Sequence, residues 1–358
     1  MVTKWQTLYL ILLTLPIMGH VVLLPLAIAL AGRDSWISAI ISLPVGLIFV
    51  LILHRLRLRY PNEPIPKALK KALGKSLAII TMLLLLIYFI FLASISIAVL
   101  VDMVSAIFLP ATPLLALVVS FLLLSMYGAT KSVKGIALTA GILLFTVLLT
   151  GHSITFINFP ERDLSDLFPI LEFGWKPVYL GVVLLSNTWI ELLLLLVIPI
   201  KSIHEKRTLT VWIVGLGANV IMMISTMTGA IMTFGLGQTE SFVYPALEIV
   251  RIIDIDFIDR LDVYALILMT FGCFVRGSLF LKLGYSQVKN LISYNKKWLH
   301  LTLFIILSMI IGILAYYMGE TRIRLEYFLI VYAYSFVLYP LPLILLFVAW
   351  IRKKKDYY

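Results

Sequence analysis

Cysteine and charge are both scarce in this chain. A single cysteine among 358 residues, Cys273, excludes a disulfide framework and a thiolate metal cluster. Only 13% of the residues are charged, where an ordinary soluble domain carries about a quarter, and this excludes a soluble globular fold. No phosphate-cradling glycine loop, zinc-ligand spacing or nucleophile elbow occurs. The sequence therefore points to no cofactor, no metal and no enzyme chemistry.

What the chain has is apolar length. Hydrophobic residues make up 62%, and the mean hydropathy is +1.06. Apolar stretches run near 8–31, 36–53, 77–101, 113–128, 134–151, 179–199, 209–234, 261–281, 299–318 and 327–351. A helix of about 20 apolar residues crosses the hydrocarbon core. The pattern predicts an all-α integral membrane protein of about ten crossings, forming one polytopic domain over 1–358. The first stretch, with Lys4 ahead of it and Ala27-Ile28-Ala29 near its end, mimics a secretory leader. It is too long for a leader's apolar region and reads as a crossing.

The net charge of +11 is an orientation signal and not a nucleic-acid footprint. Most Lys and Arg fall in alternate connections, from Lys4 through Arg55–Ser76 to Arg352–Lys355, which predicts that both termini are cytoplasmic. The opposite side gathers Glu161, Asp163, Asp166, Glu172, Glu240, Glu248, Asp254, Asp256 and Asp259. Arg55–Ser76 is basic and amphipathic, suited to the anionic lipid of the inner leaflet. On the acidic side, Ser241–Ile255 reads as a short amphipathic helix over the bundle or as a surface loop.

Two crossings carry interruptions. In the sixth, Ser186, Asn187 and Thr188 precede Glu191 in the middle of an apolar run. A carboxylate at that depth costs roughly 2.5 kcal/mol or more. Thr188-x-x-Glu191 also has the spacing of a capping box, which starts helices. In the first crossing, Pro16-Ile17-Met18-Gly19-His20 puts a helix breaker, a flexible residue and a polar ring at the same depth. The two lie five crossings apart, and an odd number of crossings per half inverts the second half, giving repeats of about 1–151 and 179–351. Paired broken helices are the best sequence pointer to a transporter-type site. Each second half-helix would start at mid-membrane, offering N–H groups near Gly19 and Thr188 that favour a carboxylate. The ligand so implied is small and anionic or zwitterionic, and an amino acid fits.

The candidate binding residues are Pro16, Met18, Gly19, His20, Tyr88, Ser94, Ser186, Asn187, Thr188, Glu191 and Arg276. Glu191 either caps its own half-helix, receives a ligand ammonium or a proton, or pairs with Arg276 of the eighth crossing. His20 either satisfies a nearby carbonyl or meets ligand, and Tyr88, Ser94 and Ser96 either line a cavity or pack helices together. Asp102 and His152 lie near crossing ends and read as solvated, while Trp5, Trp36, Trp175, Trp298 and Trp350 read as interface belts.

Two segments sharpen this. Tyr244-Pro245 through Arg251, then Asp259-Arg260-Leu261-Asp262, resembles the Pro…Arg…Glu-Arg-Leu-Glu segment of the B-subunit family of nutrient germinant receptors of bacterial endospores. Asp replaces Glu at both acidic positions. Trp189-Ile190-Glu191 through Pro199 is similar to that family's aromatic-x-Glu…Pro pattern. These spore permeases belong to the amino acid–polyamine–organocation transporter superfamily. The resemblance implies a LeuT-like five-plus-five inverted repeat in the inner membrane of the spore. It also implies a larger A subunit and a C-subunit lipoprotein as partners, and an amino-acid germinant such as alanine bound between crossings one, three, six and eight. Sodium-dependent relatives of that fold hold Na⁺ between crossings one and eight. Arg276, beside Gly277 and Ser278, would stand in for the ion here and make binding sodium-independent.

Overall fold

The computed structural model describes residues 1–60, 68, 70, 74–201, 207–252, 262–292 and 296–355; Asp254, Asp256, Asp259 and Arg260 lie outside them, as do the side chains of His20 and His152. Nearly everything described is helical. In lipid each backbone N–H and C=O must be bonded within its own segment, and these apolar runs have no other way to meet that demand.

The chain opens with α1 (Lys4–Pro16), a π turn (Ile17–Val22) and α2 (Leu24–Ala31). There follow α3 (Ser35–Arg59), α4 (Lys75–Met103), α5 (Leu114–Thr130) and α6 (Val133–Ile157). Next come α7 (Trp175–Ile190), a 3-10 turn (Glu191–Leu193) and α8 (Leu194–Val197). The remainder is α9 (Arg207–Ser241), α10 (Pro245–Arg251), α11 (Asp262–Leu291), α12 (Lys297–Gly319), α13 (Arg322–Ala333) and α14 (Pro340–Lys355). Among the described residues, eight helical spans are long and apolar enough to cross a membrane, and α5 is a shorter apolar helix. The protein is an integral membrane protein.

Side chains set the helix ends. Thr3 and Gln6 form a reciprocal capping box at α1, while Ser132 caps α6 and Thr321 caps α13. α9 is kinked where Gly235 adopts φ +70°, a conformation that a side chain would strain. α10 is the short amphipathic helix expected within Ser241–Ile255, with Leu247, Ile249 and Val250 buried.

Helix packing depends on small residues. α11 lies along α4 and α5, and α3 lies against α7 and α9. Between α5 and α11 the fit is reciprocal. A Cβ added at Gly128 would overlap Ser278, and one at Gly277 would stand 2.7 Å from Ser125 Oγ. Lipid tails are as apolar as leucine, so close van der Waals approach holds such pairs together. Gly128→Leu is therefore expected to lower the thermal stability of the purified protein by about 1–3 kcal/mol, an overpacking cost. Gly217→Leu, where no atom lies within 4 Å of an added Cβ, is the matched control and should leave the melting temperature unchanged.

Both interruptions exist, but neither is the open joint expected. The first is a wound π turn that ends when the Leu23 N–H donates to the Met18 carbonyl at 2.8 Å. Two prolines bracket it. Pro16 and Pro25 each lack an N–H, which removes the usual partners of the Leu12 and Val21 carbonyls and forces a change of winding between them. At the second, Thr188 does not cap: its hydroxyl donates to the Leu185 carbonyl at 2.7 Å, and the chain passes through a 3-10 turn. The capping box fails because the Glu191 carboxylate is taken by a stronger, charged donor. The helix stops at Ile198, before Pro199. There the backbone pairs with the start of the chain, Val2 N–H to Pro199 O and Lys201 N–H to Val2 O, both at 2.9 Å.

Candidate functional site

The site is a charge cluster sealed inside the bundle. Arg276 and Glu191 both have fully buried side chains. The guanidinium is bidentate on the carboxylate: Nη2 donates to Oε1 at 2.7 Å and Nη1 to Oε2. Its other donors reach two further helices, Nε to Ser96 Oγ at 2.8 Å and Nη1 to the Thr14 carbonyl at 2.9 Å. Tyr332 donates its hydroxyl to Glu191 Oε1 at 2.7 Å, and the Phe280 ring lies 5.2 Å from the guanidinium carbon. Two charges out of water are tolerated only with this completeness of bonding. One cluster thus links α1, α4, the 3-10 turn, α11 and α13.

Of the residues singled out from sequence, Glu191 and Arg276 meet directly, as the third of the alternatives for Glu191 has it. Asn187 and Ser186 flank the pair through their carbonyls, which accept from Tyr332 Oη at 3.4 Å and Tyr339 Oη at 2.6 Å. The Asn187 amide donates to the Val183 carbonyl at 2.7 Å, leaving Asn187 Oδ1 and Ser186 Oγ buried with no hydrogen-bond partner among the described residues. Ser94 is buried and donates to its own helix at Ile90 O, 2.9 Å, and Tyr88 is buried on the same helix. Pro16, Met18 and Gly19 make no hydrogen bond to the pair; a Cβ at Gly19 would overlap Met223 of α9 instead. The residues the sequence leaves unmarked are Thr14, which acts through a backbone carbonyl, and Tyr332, one of 17 tyrosines. Only the depth of Tyr332 in an apolar run pointed to it.

Asp102 is a correction. It is not solvated but 9% exposed, because Tyr244 and Arg322 close over it. Tyr244 Oη donates to Asp102 Oδ2, and Arg322 Nη1 reaches the same oxygen at 3.1 Å and Tyr244 Oη at 3.4 Å. Burial, then the neighbouring carboxylate, pushes the Tyr244 phenol well above its ordinary value, so it remains a donor. This latch ties the end of α4 and the start of α13 to the chain just ahead of α10.

Beside the latch lies a cavity of about 360 Å³. It is walled by Pro16 and Ile17 of the first interruption, Leu148 of α6, Met222 of α9, Leu247 of α10 and Met269 of α11.

Comparison with known proteins agrees with this architecture. Over 90% of this chain and 75% of the other, the fold matches that of a Na⁺-coupled sialic acid symporter solved in a substrate-bound, outward-open state, with a TM-score of 0.63 and 12% identity. The likeness is one of fold, and the fold is all-α and LeuT-like, as the resemblance implies. Spore germination protein XB of Bacillus anthracis is 30% identical over 74% of this chain and 74% of its own length. Spore germination protein B2 of Bacillus subtilis is 22% identical over 98% of this chain and 96% of its own length. Residues 1–321 match the family described as Spore germination protein. The chain belongs to that family, the B-subunit family of germinant receptors.

Proposed function

We propose that this protein is a nutrient-sensing subunit that binds a small zwitterion, an amino acid, at the Glu191–Arg276 pair and signals to partner subunits that start germination. The observation that carries this reading is the pair itself, a buried anion at the interruption of the sixth crossing held by a cation of α11 that also reaches the Thr14 carbonyl just before the first interruption. Beside it lie Ser186 Oγ and Asn187 Oδ1, which have no partner among the described residues. An amino acid has the matching charges. Its carboxylate can replace Glu191 on Arg276 while its ammonium is received by Glu191, so that one internal pair is exchanged for two pairs to the ligand. Such an exchange favours whichever form of the bundle leaves room between the two side chains, and a ligand moves an equilibrium only through such a difference in affinity.

In this reading the chain makes ten crossings in two inverted halves, with its termini in the cytoplasm and the latch facing outward in the inner spore membrane. An A subunit and a C-subunit lipoprotein read the shift. The likeness to a symporter favours a second reading, an amino-acid transporter, and one preparation separates the two. Proteoliposomes of the full chain that bind L-alanine in calorimetry without flux are a sensor's; saturable, gradient-driven uptake is a transporter's. Absence of binding across the common L-amino acids would sink both.

The position of Arg276 yields a further expectation. Its Nη1 sits on the Thr14 carbonyl, a fixed cation between the first interruption and α11. Binding is expected to be the same in sodium chloride and choline chloride. A steep gain in affinity with sodium would overturn the assignment of that charge.

A further inference from the structure

We propose that the cavity beside the latch is a second ligand site, separate from the Glu191–Arg276 pair, which takes an apolar molecule with one anionic head and holds that head on Arg162. Among the described residues, Arg33, Arg251, Arg322 and Arg324 at this end each face a carboxylate, Glu172, Glu248, Asp102 and Glu320 respectively. Arg162 faces none. Its guanidinium lines the cavity and lies against α9, where a Cβ at Gly229 would stand 3.4 Å from Nη2.

Its sequence neighbours are turned away. Asp163 Oδ1 accepts from the Ser165 N–H at 2.8 Å, and Glu161 is exposed to solvent. Among the described residues, the side chain bonded to Arg162 is Asn158, whose Oδ1 accepts from Nε at 3.4 Å and from Thr233 Oγ1 at 3.1 Å. Burial also draws the Arg162 guanidinium below its ordinary value. Arginine does not give up its proton in a protein, so a part-buried guanidinium without a counter-charge is a standing demand for an anion.

The walls decide the rest of the ligand. No carboxylate lines the cavity among the described residues. Two of its hydroxyls donate their protons to their own helices, Thr155 to Gly151 O at 3.0 Å and Thr226 to Met222 O at 2.9 Å. An ammonium would find no counter-charge on these walls, which disfavours a zwitterion and leaves an aliphatic or aromatic body. Ile221, which lines the cavity, is 67% exposed, so the cavity reaches the surface of the bundle there.

The test uses the full chain in phosphatidylcholine nanodiscs, with hexanoate, hexanol and hexylamine as probes in calorimetry. Saturable binding of hexanoate, at least tenfold tighter than hexanol and with no hexylamine binding, is expected. Arg162→Gln should erase the preference of hexanoate over hexanol, and Ser225→Phe, or Leu268→Trp if the first fails to fold, should abolish both by filling the cavity. L-Alanine binding at the Glu191–Arg276 pair should survive all three changes, so failure here is distinguishable from failure of the proposed function. Displacement of hexanoate by phosphatidylglycerol would identify the same chemistry in a lipid head. Equal affinity for the three probes, non-saturable uptake, or an unchanged preference in Arg162→Gln would overturn the proposal.

Discussion

Arg276→Met alone is expected to strip folded protein from the membrane, and Arg276→Met combined with Glu191→Leu to restore it. Removing one member of a buried ion pair leaves the other charge uncompensated, a cost of about 3–5 kcal/mol. Whole proteins are stable by only about 5–15 kcal/mol, so the single change takes a large share. In Arg276→Met the Glu191 carboxylate would retain the Tyr332 hydroxyl and nothing charged, while Ser96 and the Thr14 carbonyl would lose their donor. Replacing both charges by apolar groups removes the demand instead of stranding it, and such exchanges are neutral or stabilising in other proteins. Melting temperature and the monodisperse fraction in detergent measure this. Glu191→Gln should behave like Arg276→Met in stability, since it too leaves a lone charge. The double variant should keep its bundle and lose amino-acid binding, because both charges that the ligand requires are gone. A Glu191→Gln protein of native stability and lost response would instead make the carboxylate a ligand group with no structural duty.

Asp102→Asn carries the second large effect. The carboxylate accepts from both Tyr244 and Arg322, and hydrogen bonds to a charged group contribute about 1.5–3 kcal/mol. Losing that contribution favours release of α10 by roughly tenfold or more, at 1.4 kcal/mol per factor of ten. The chain's lone Cys273 is buried, so a cysteine placed at Leu247 on α10 can be read over almost no background. Its labelling by a membrane-impermeant maleimide should rise about tenfold in the Asp102→Asn protein relative to the native latch. Tyr244→Phe, which keeps the Arg322–Asp102 pair, should give a smaller rise. Equal labelling in all three would mean that packing alone holds α10 down.

The sequence was most readable where chemistry and environment clash. Glu191 and Arg276 stand out because each breaks an apolar run, and a clash of that kind calls for a partner. The positions of both interruptions were visible for the same reason, through Pro16 and through the polar cluster at 186–188. Their geometry was not. Pro25 looked like one more residue of an apolar stretch, and only with Pro16 does it bracket a turn. Thr188-x-x-Glu191 was misread because local spacing cannot show that a distant guanidinium will claim the carboxylate. Asp102 was misread because nearness to a helix end stands for exposure only when nothing folds over it, and Tyr244 comes from 142 residues further along. Ser96 and the Thr14 carbonyl had no sequence signal strong enough to rank them, since serines pack helices everywhere and every residue has a carbonyl.

The small backbone clasp between Val2 and Ile200 gives the two interrupted crossings a shared handle. Through its two backbone bonds the foot of the first crossing and the tail of the sixth are yoked, so a tilt of either that leaves the clasp intact carries the other with it, like paired oars on one shaft. Cargo fused ahead of Met1 would hang on that shaft and load the linkage. Reporters for movement therefore belong after α14, which takes no part in the clasp.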